Sequence, residues 1–202
     1  LRIAVLASGR GTDFQSIIDA VERGEVSAQI LLLLTDNPEA KAIERAKRHK
    51  IPALVINPKY FASREEFDSA IWKKLNRLKL DLVVLAGYMR IIKNKAFLDA
   101  YKGRIINIHP SLLPKFPGAH AQKDAFEAGE KISGYTIHFV DSSLDGGPVI
   151  LQEKVNISDC KTADEVSAKI LFREHIGLPK VVQMFAEGEF KIENGKAAYT
   201  RR

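Results

Sequence analysis

The sequence predicts an α/β protein with a Rossmann-like, open and mostly parallel sheet, helices on both faces, and antiparallel additions near the C-terminus. Short apolar segments alternate with longer amphipathic segments through the first half of the chain, which is typical of βαβ units in a parallel sheet. After residue 110 the pattern changes to that of antiparallel strands. The length of 202 residues and the hydrophobic content of 46% suit one domain with an ordinary core.

The first half is predicted to contain five buried strands separated by helices. The strands are expected at residues 3–7, 30–34, 53–56, 82–86 and 105–108. The helices are expected at 14–23, 38–49 and 64–78, where apolar residues recur at helical spacing. Ser63 and Glu66 fit a capping box before the third helix. Thr35, Asp36 and Asn37 are cap or turn residues before the second.

The second half is predicted to contain a strand pair, a helical region and a hairpin. The strands at 135–140 and 149–157 are joined through a Gly-Gly-Pro turn. The region 162–187 is expected to be helical with an interruption near Gly177 and Pro179. Asn194-Gly195 is a strong signal for a hairpin between short strands.

Composition excludes several classes of protein. The single cysteine, Cys160, excludes an internal disulfide and any cysteine-based metal cage. The longest apolar run, Ile30–Leu34, is far shorter than the ~20 residues that span a bilayer, and the N-terminal apolar stretch is too short for a signal peptide. We therefore expect a cytoplasmic protein without a membrane partner. The net charge of +6 favours anionic ligands.

A glycine-rich loop follows the first predicted strand and opens the first helix. Free amides at a helix N-terminus favour an anion, and Ser8-Gly9-Arg10-Gly11-Thr12-Asp13 has this placement. A dinucleotide site is disfavoured because Phe14 occupies the third glycine position of that motif. A monophosphate site competes with a plainer alternative, in which the glycines only form the turn and Thr12 or Asp13 caps the helix. Asp36 is interpreted as part of a turn.

Two polar side chains alternate at the end of the fifth predicted strand. Asn107 and His109 therefore point to the same side of the sheet. Together they could hold a carbonyl oxygen as it becomes an oxyanion, although a buried histidine satisfied by the backbone remains an alternative. Asp145, in a glycine-rich turn, is a candidate to orient and charge His109, and a plain Asp-Gly turn is its alternative.

The combined motifs resemble the phosphoribosylglycinamide formyltransferases of the folate-dependent formyltransferase superfamily. In chain order they are SGRGT at 8–12, LAGYMR at 85–90, NIHPSLLP at 107–114, FPG at 116–118 and LDGGP at 144–148. The resemblance extends over nearly the whole chain. It implies a single formyltransferase domain at 1–202, with a phosphate-binding half at 1–104 and a catalytic and folate-binding half at 105–202.

The resemblance also implies a reaction. The amine of 5′-phosphoribosylglycinamide would attack the formyl carbon of 10-formyltetrahydrofolate, a co-substrate, in purine biosynthesis, through a tetrahedral intermediate and without a metal. Asn107 would bind the formyl oxygen, His109 would stabilise the oxyanion and move protons, and Asp145 would orient His109.

Further site residues carry over from the same resemblance. The ribonucleotide would be bound by Gly11, Thr12, Asp13, Arg173 and Glu174. The folate would be bound by Arg64, Met89, Arg90, Ile91, Ile92, Asn107, Asp141, Ser142, Ser143, Leu144 and Asp145. The family usually has Ser-Asn where this chain has Thr12-Asp13. We expect Asp13 to cap the helix and Arg10 to offset its charge, because a carboxylate beside a phosphate is unfavourable.

Other functions are less favoured. A superfamily enzyme acting on aminoacyl-tRNA, water or a sugar amine would share the Asn-x-His and Asp residues, but the tRNA enzyme and the hydrolase usually carry extra domains. The positive charge could also indicate a nucleic-acid-binding module. The basic residues at 41–50 are interpreted instead as a solvated helix face, so no nucleic-acid partner is expected. Either a monomer or a homodimer is compatible with the sequence.

Overall fold

A computed structural model describes residues 1–202. The strands are β1 (Arg2–Leu6), β2 (Gln29–Thr35), β3 (Ala53–Val55), β4 (Leu82–Leu85), β5 (Ile105–His109), β6 (Ile132–Phe139), β7 (Val149–Asn156), β8 (Gly188–Glu193) and β9 (Lys196–Arg201). The helices are α1 (Thr12–Glu22), α2 (Ala42–Arg48), α3 (Arg64–Asn76), α4 (Lys95–Ala100), α5 (Ala121–Glu127) and α6 (Ala163–Glu187), and a short 3-10 helix covers Pro58–Tyr60.

Seven strands form the main sheet in the order β3-β2-β1-β4-β5-β6-β7. Strands β1 to β5 pair in parallel, whereas β6 and β7 add antiparallel to the edge beyond β5. Strands β8 and β9 form a separate hairpin. The strand order reverses between β1 and β4, and ligands of open α/β sheets bind outside the carboxyl ends of the strands at such a point. We therefore expect the ligand-binding site at the loops after β1, β4 and β5.

Two hydrophobic cores cover the two faces of the sheet. One contains Phe14 and Ile17 of α1 together with Val181 of α6, and the other contains Phe67 of α3 and Phe97 of α4. Strands covered on both faces need apolar residues at every position, which explains their continuous apolar runs. The predicted fold class is confirmed. No helix is long and apolar enough to cross a lipid bilayer.

Helix α6 corrects one prediction. It runs without a break from Ala163 to Glu187 and contains Pro179, so the interruption predicted near Gly177 is wrong. A Cβ on Gly177 would lie 1.9 Å from the Tyr135 hydroxyl. The glycine therefore permits close packing of α6 on β6 and does not mark the end of a helix.

Three other elements depart from expectation. Helix α2 begins at Ala42 rather than at residue 38. The residues before it form a turn, in which the Asn37 side chain accepts a hydrogen bond from the Glu39 amide. The Ala42 amide donates to the Gly9 carbonyl outside the helix. Helices α4 and α5 were not expected; both are short and form in segments that follow strands. The Ser63 cap is confirmed, since its hydroxyl accepts the Glu66 amide at 3.2 Å.

Candidate active site

The glycine-rich loop after β1 ends in a left-handed residue, Gly11, with φ of +66°. A Cβ at this position would lie 2.6 Å from the Cβ of Ala42, so glycine is required for both conformation and space. The Ser8 amide donates to the Gly87 carbonyl at 3.0 Å, and the Ser8 hydroxyl accepts the Met89 amide at 3.0 Å. These bonds join the loop to the segment after β4. The amides of the first turn of α1 have no partner within the helix and remain available to an anion.

Asp13 does not cap α1, contrary to the expectation above. Gly11 is the N-cap residue, and no side chain caps this helix. The Asp13 carboxyl group is buried, with Oδ1 lying 3.8 Å from His175 Nε2 of α6. Burial raises the pKa of Asp13 to about 7, and the nearby Arg10 charge opposes this rise. Glu174 is also buried, and burial together with the Asp13 charge raises the pKa of Glu174 well above its usual value.

Asn107 is held by a histidine on the neighbouring strand. Asn107 and His138 are directly opposite in the β5–β6 pair. The His138 Nδ1 donates to the Phe139 carbonyl at 2.9 Å, which leaves Nε2 to accept a hydrogen bond from Asn107 Nδ2 at 3.2 Å. Burial lowers the pKa of His138 and keeps this ring neutral. The Asn107 amide is therefore fixed by one N–H and keeps the other for a ligand.

His109 lies between two oxygen acceptors. Its Nε2 donates to the Phe116 carbonyl at 2.8 Å, and its Nδ1 lies 3.5 Å from Asp145 Oδ2. Asp145 adopts a left-handed conformation with φ of +51° and also accepts the Gly118 amide at 3.0 Å. The Asp145 carboxylate thus approaches His109 from the loop after β6. Both ring nitrogens of His109 therefore face oxygen atoms of the protein.

The segment after β4 forms a partly apolar wall. Arg90 Nε contacts Asp36 Oδ2 at 2.5 Å and its guanidinium lies 5.5 Å from the centre of the Phe67 ring. Tyr88 of the same segment is buried, and burial together with the charges of Asp36 and Asp68 raises its pKa. The ion pair ties the ends of β2 and β4 together. Asp36 therefore holds the wall in place, in addition to forming the expected turn.

These elements enclose one cavity of about 580 Å³ at the carboxyl ends of β1, β4 and β5. The anion loop after β1, the apolar wall after β4, and the Asn107, His109 and Asp145 side chains all line this cavity. Pockets for small molecules commonly have this size and combine an apolar lining with a few polar groups. An acyl carbon placed against Asn107 and His109 would have an amide donor and a histidine beside it, which suits a reaction through an oxyanion.

Comparisons with known proteins agree with this geometry. The Formyl transferase family matches residues 1–182. Phosphoribosylglycinamide formyltransferase of Haemophilus influenzae is 41% identical over 196 residues, covering 97% of this chain and 92% of that protein. The chain belongs to the phosphoribosylglycinamide formyltransferase family.

Two further relatives of this formyltransferase are a much longer protein and a protein of similar length. The trifunctional purine biosynthetic protein adenosine-3 of Drosophila melanogaster is 42% identical over 189 residues, which cover 93% of this chain but only 14% of that protein. The crystal structure of glycinamide ribonucleotide transformylase 1 from Symbiobacterium toebii has a TM-score of 0.94 and 41% identity. The alignment covers 98% of this chain and 93% of the Symbiobacterium toebii chain.

The structure brings most of the predicted site residues of this formyltransferase into the one cavity. Residues from the ribonucleotide, catalytic and folate sets all line it: Gly11, Thr12, Asp13, Met89, Arg90, Ile91, Ile92, Asn107, His109, Asp141, Ser143, Leu144, Asp145 and Glu174. The predicted roles of these residues stay predictions.

Three predicted residues lie outside the cavity lining. Arg173 of α6 contacts β7 instead of the cavity, where its Nε donates to Glu153 Oε1 at 2.6 Å. Arg64 donates to the Ile91 carbonyl, so it supports the wall from behind. Ser142 is exposed on the loop after β6.

Sequence reasoning missed several lining residues. His138 is the most important, because it binds Asn107 and its Nε2 lies 3.8 Å from Asp145 Oδ1. Its position opposite Asn107 depends on the β5–β6 register, which the sequence does not specify. Gln122 of α5 also lines the cavity and belongs to a helix that was not predicted. One group of potential metal ligands, Asp19, Glu22 and His49, lies outside the cavity lining.

Proposed function

We propose that this protein transfers the formyl group of 10-formyltetrahydrofolate to the amine of 5′-phosphoribosylglycinamide, in the cytoplasm, as a step of purine biosynthesis. The observation that carries the proposal is that Asn107, His109 and Asp145 line one cavity together with an anion loop and an apolar wall. Its anion loop suits a phosphorylated acceptor, and its apolar wall suits a ring system. Family membership supports the same assignment.

The reaction proceeds by direct attack of the amine on the formyl carbon. A bond forms between the substrate nitrogen and this carbon, and the carbonyl electron pair moves to oxygen. The second N–H of Asn107, left free by the bond to His138, donates to that oxyanion, and His109 stabilises the same charge. Removing one such donor typically costs about 10²- to 10³-fold in kcat.

Collapse of the tetrahedral intermediate breaks the bond between the formyl carbon and N10 of the folate. The attacking nitrogen loses a proton and the leaving nitrogen gains one, so the reaction is balanced without a co-reactant. His109 moves this proton through Nε2, which must exchange its bond to the Phe116 carbonyl for one to the substrate, and Asp145, 3.5 Å from His109 Nδ1, stabilises the charged ring while the transfer occurs. General acid–base groups of this kind contribute about 10²- to 10⁴-fold.

The anion loop binds the ribonucleotide, and the apolar wall binds the folate. The amides of the first turn of α1 bind the phosphate, with the backbone of Gly11, Thr12 and Asp13 in contact. Glu174 lines the same cavity and accepts a hydroxyl or amine hydrogen of the ribonucleotide. The Met89–Ile92 segment and the loop at 141–145 surround the folate ring, where backbone groups recognise its edge.

Formyl transfer to a panel of acceptors tests the proposal. The purified protein is mixed with 10-formyltetrahydrofolate and with phosphoribosylglycinamide, an amino sugar nucleotide, charged initiator tRNA or buffer alone. Release of tetrahydrofolate is followed by absorbance, and the formylated product by mass spectrometry. We expect transfer only to the ribonucleotide. Turnover with another acceptor, or hydrolysis at the same rate without acceptor, would contradict the proposed substrate.

A further inference from the structure

Two buried carboxyl groups line the cavity near the anion loop, and the charge of one acts on the other. Asp13 of α1 is 9% exposed and Glu174 of α6 is 4% exposed, and both line the same cavity. Neither carboxyl group accepts a hydrogen bond, and neither lies within ion-pair distance of a lysine or arginine. A pair of carboxylates without partners is costly when it is removed from water.

The groups around Asp13 do not neutralise it. The Oδ1 atom of Asp13 and the Nε2 atom of His175 are both buried and lack hydrogen-bond partners; they lie 3.8 Å apart, beyond hydrogen-bond distance. Burial and the charges of Arg45 and Arg10 lower the pKa of His175, so this ring is neutral at pH 8. From the loop before α1, only the Arg10 charge opposes protonation of Asp13.

A phosphate bound at the start of α1 would make this repulsion larger. A phosphate monoester carries close to two negative charges at neutral pH, and Asp13 is the second residue of the helix whose N-terminal amides face that position. An ionised Asp13 would then share one enclosed site with the phosphate, and its charge already holds the pKa of Glu174 well above the usual value. A neutral carboxyl group removes the repulsion and supplies an O–H donor, and hydrogen bonds to charged oxygens are about twice as strong as neutral ones.

We propose that Asp13 acts in the ribonucleotide subsite as a neutral carboxyl group, so that a phosphate monoester dianion binds together with one proton. This inference rests on the proposed function for the identity of the natural ligand. The subsite itself is defined by the anion loop, the Asp13–Glu174 pair and His175. Asp13 then determines how phosphate affinity changes with pH.

Calorimetry with ribose 5-phosphate tests proton uptake without any formyl transfer. Binding is measured at pH 8 in two buffers with different ionisation enthalpies, where the free phosphate is already a dianion. We expect the wild-type protein to take up close to one proton, and its affinity to fall by up to about tenfold per pH unit above the Asp13 pKa. The D13N variant is expected to show no uptake and an affinity that does not change between pH 7 and pH 9.

The control is the D19N variant, which makes the same chemical change on the same helix outside the cavity. It is expected to keep the proton uptake. Carbon-13 labelling of the aspartate carboxyl carbons provides a measurement in the wild-type protein itself, where one carboxyl signal should titrate near pH 7. Absence of uptake in the wild-type protein, uptake that persists in D13N, or no binding of ribose 5-phosphate would overturn the inference.

The two proposals fail in distinguishable ways. Uptake that depends on Asp13, together with no formyl transfer to phosphoribosylglycinamide, would reject the proposed function and retain the neutral-carboxyl subsite. Formyl transfer to the ribonucleotide without any proton uptake on phosphate binding would reject the subsite alone.

Discussion

Replacing Asp145 with asparagine removes the negative charge that faces His109 and preserves the shape of the side chain. Asparagine tolerates the left-handed conformation of this residue, and its carbonyl oxygen still accepts the Gly118 amide. The two side chains are only 5% and 13% exposed, with 3.5 Å between Nδ1 and Oδ2. Opposite unit charges at this distance attract by about 5 kcal/mol at an effective dielectric constant of about 20.

This attraction is an upper limit on the loss, because asparagine still offers a dipole to the ring. We expect kcat to fall by about 10³-fold, within the range for general acid–base groups, while KM for the ribonucleotide stays within about threefold. The assay is steady-state release of tetrahydrofolate, with circular dichroism to check folding. The D124N variant on α5, outside the cavity lining, is the control. A folded D145N enzyme with kcat within tenfold of the wild-type value would refute the role of this charge.

Three further outcomes follow from the same structure. H138F, which removes the acceptor that fixes Asn107, should lower kcat by about 10- to 100-fold, and H138Q should restore part of it. Since the folded pKa of Asp13 is about 7 against an ordinary 3.8, folding stability falls as pH rises between these values. The free energy of unfolding of D13N should therefore exceed that of the wild type by about 2–4 kcal/mol at pH 8, and the two should be equal at pH 4. G177A should lose about 1–3 kcal/mol of stability, because its Cβ would overlap the Tyr135 hydroxyl.

Each of these outcomes has a measurement that can contradict it. Equal kcat losses in H138F and H138Q would show that hydrogen bonding to Asn107 is not the cause. Urea unfolding at several pH values measures the D13N effect, and a stability difference that does not change with pH would contradict the linkage. For G177A, thermal unfolding is compared with K180A, an exposed change on the same helix; equal unfolding temperatures would contradict the packing argument.

The fold was predictable from the sequence wherever one physical signal dominated. Continuous apolar runs located β1, β2, β4 and β5 because these strands are covered on both faces. The helical region of α6 was predicted correctly, but the interruption near Gly177 was not. A glycine looks the same in a sequence whether it ends a helix or packs against a side chain such as Tyr135. Only the tertiary contact distinguishes the two. Helices α4 and α5 are too short for helical periodicity to emerge.

The site was predictable at the level of motifs and less so at the level of orientation. The strand-end positions of Asn107 and His109 follow from alternation along a strand. The partnership of Asn107 with His138 depends on register between strands, and Asp13 depends on how α1 meets α6. Its interpretation as a helix cap was wrong because Gly11 is the N-cap residue and the Asp13 carboxyl group makes no hydrogen bond to the helix amides.

The contact between α1 and α6 joins opposite ends of the chain near the anion loop. During synthesis the glycine-rich loop is made well before helix α6, which carries Glu174. A nascent chain therefore has the loop without a complete pocket. Ligand that binds only the finished pocket stabilises the whole domain against unfolding by mass action, so substrate should protect the N-terminal and C-terminal helices from proteolysis to the same extent.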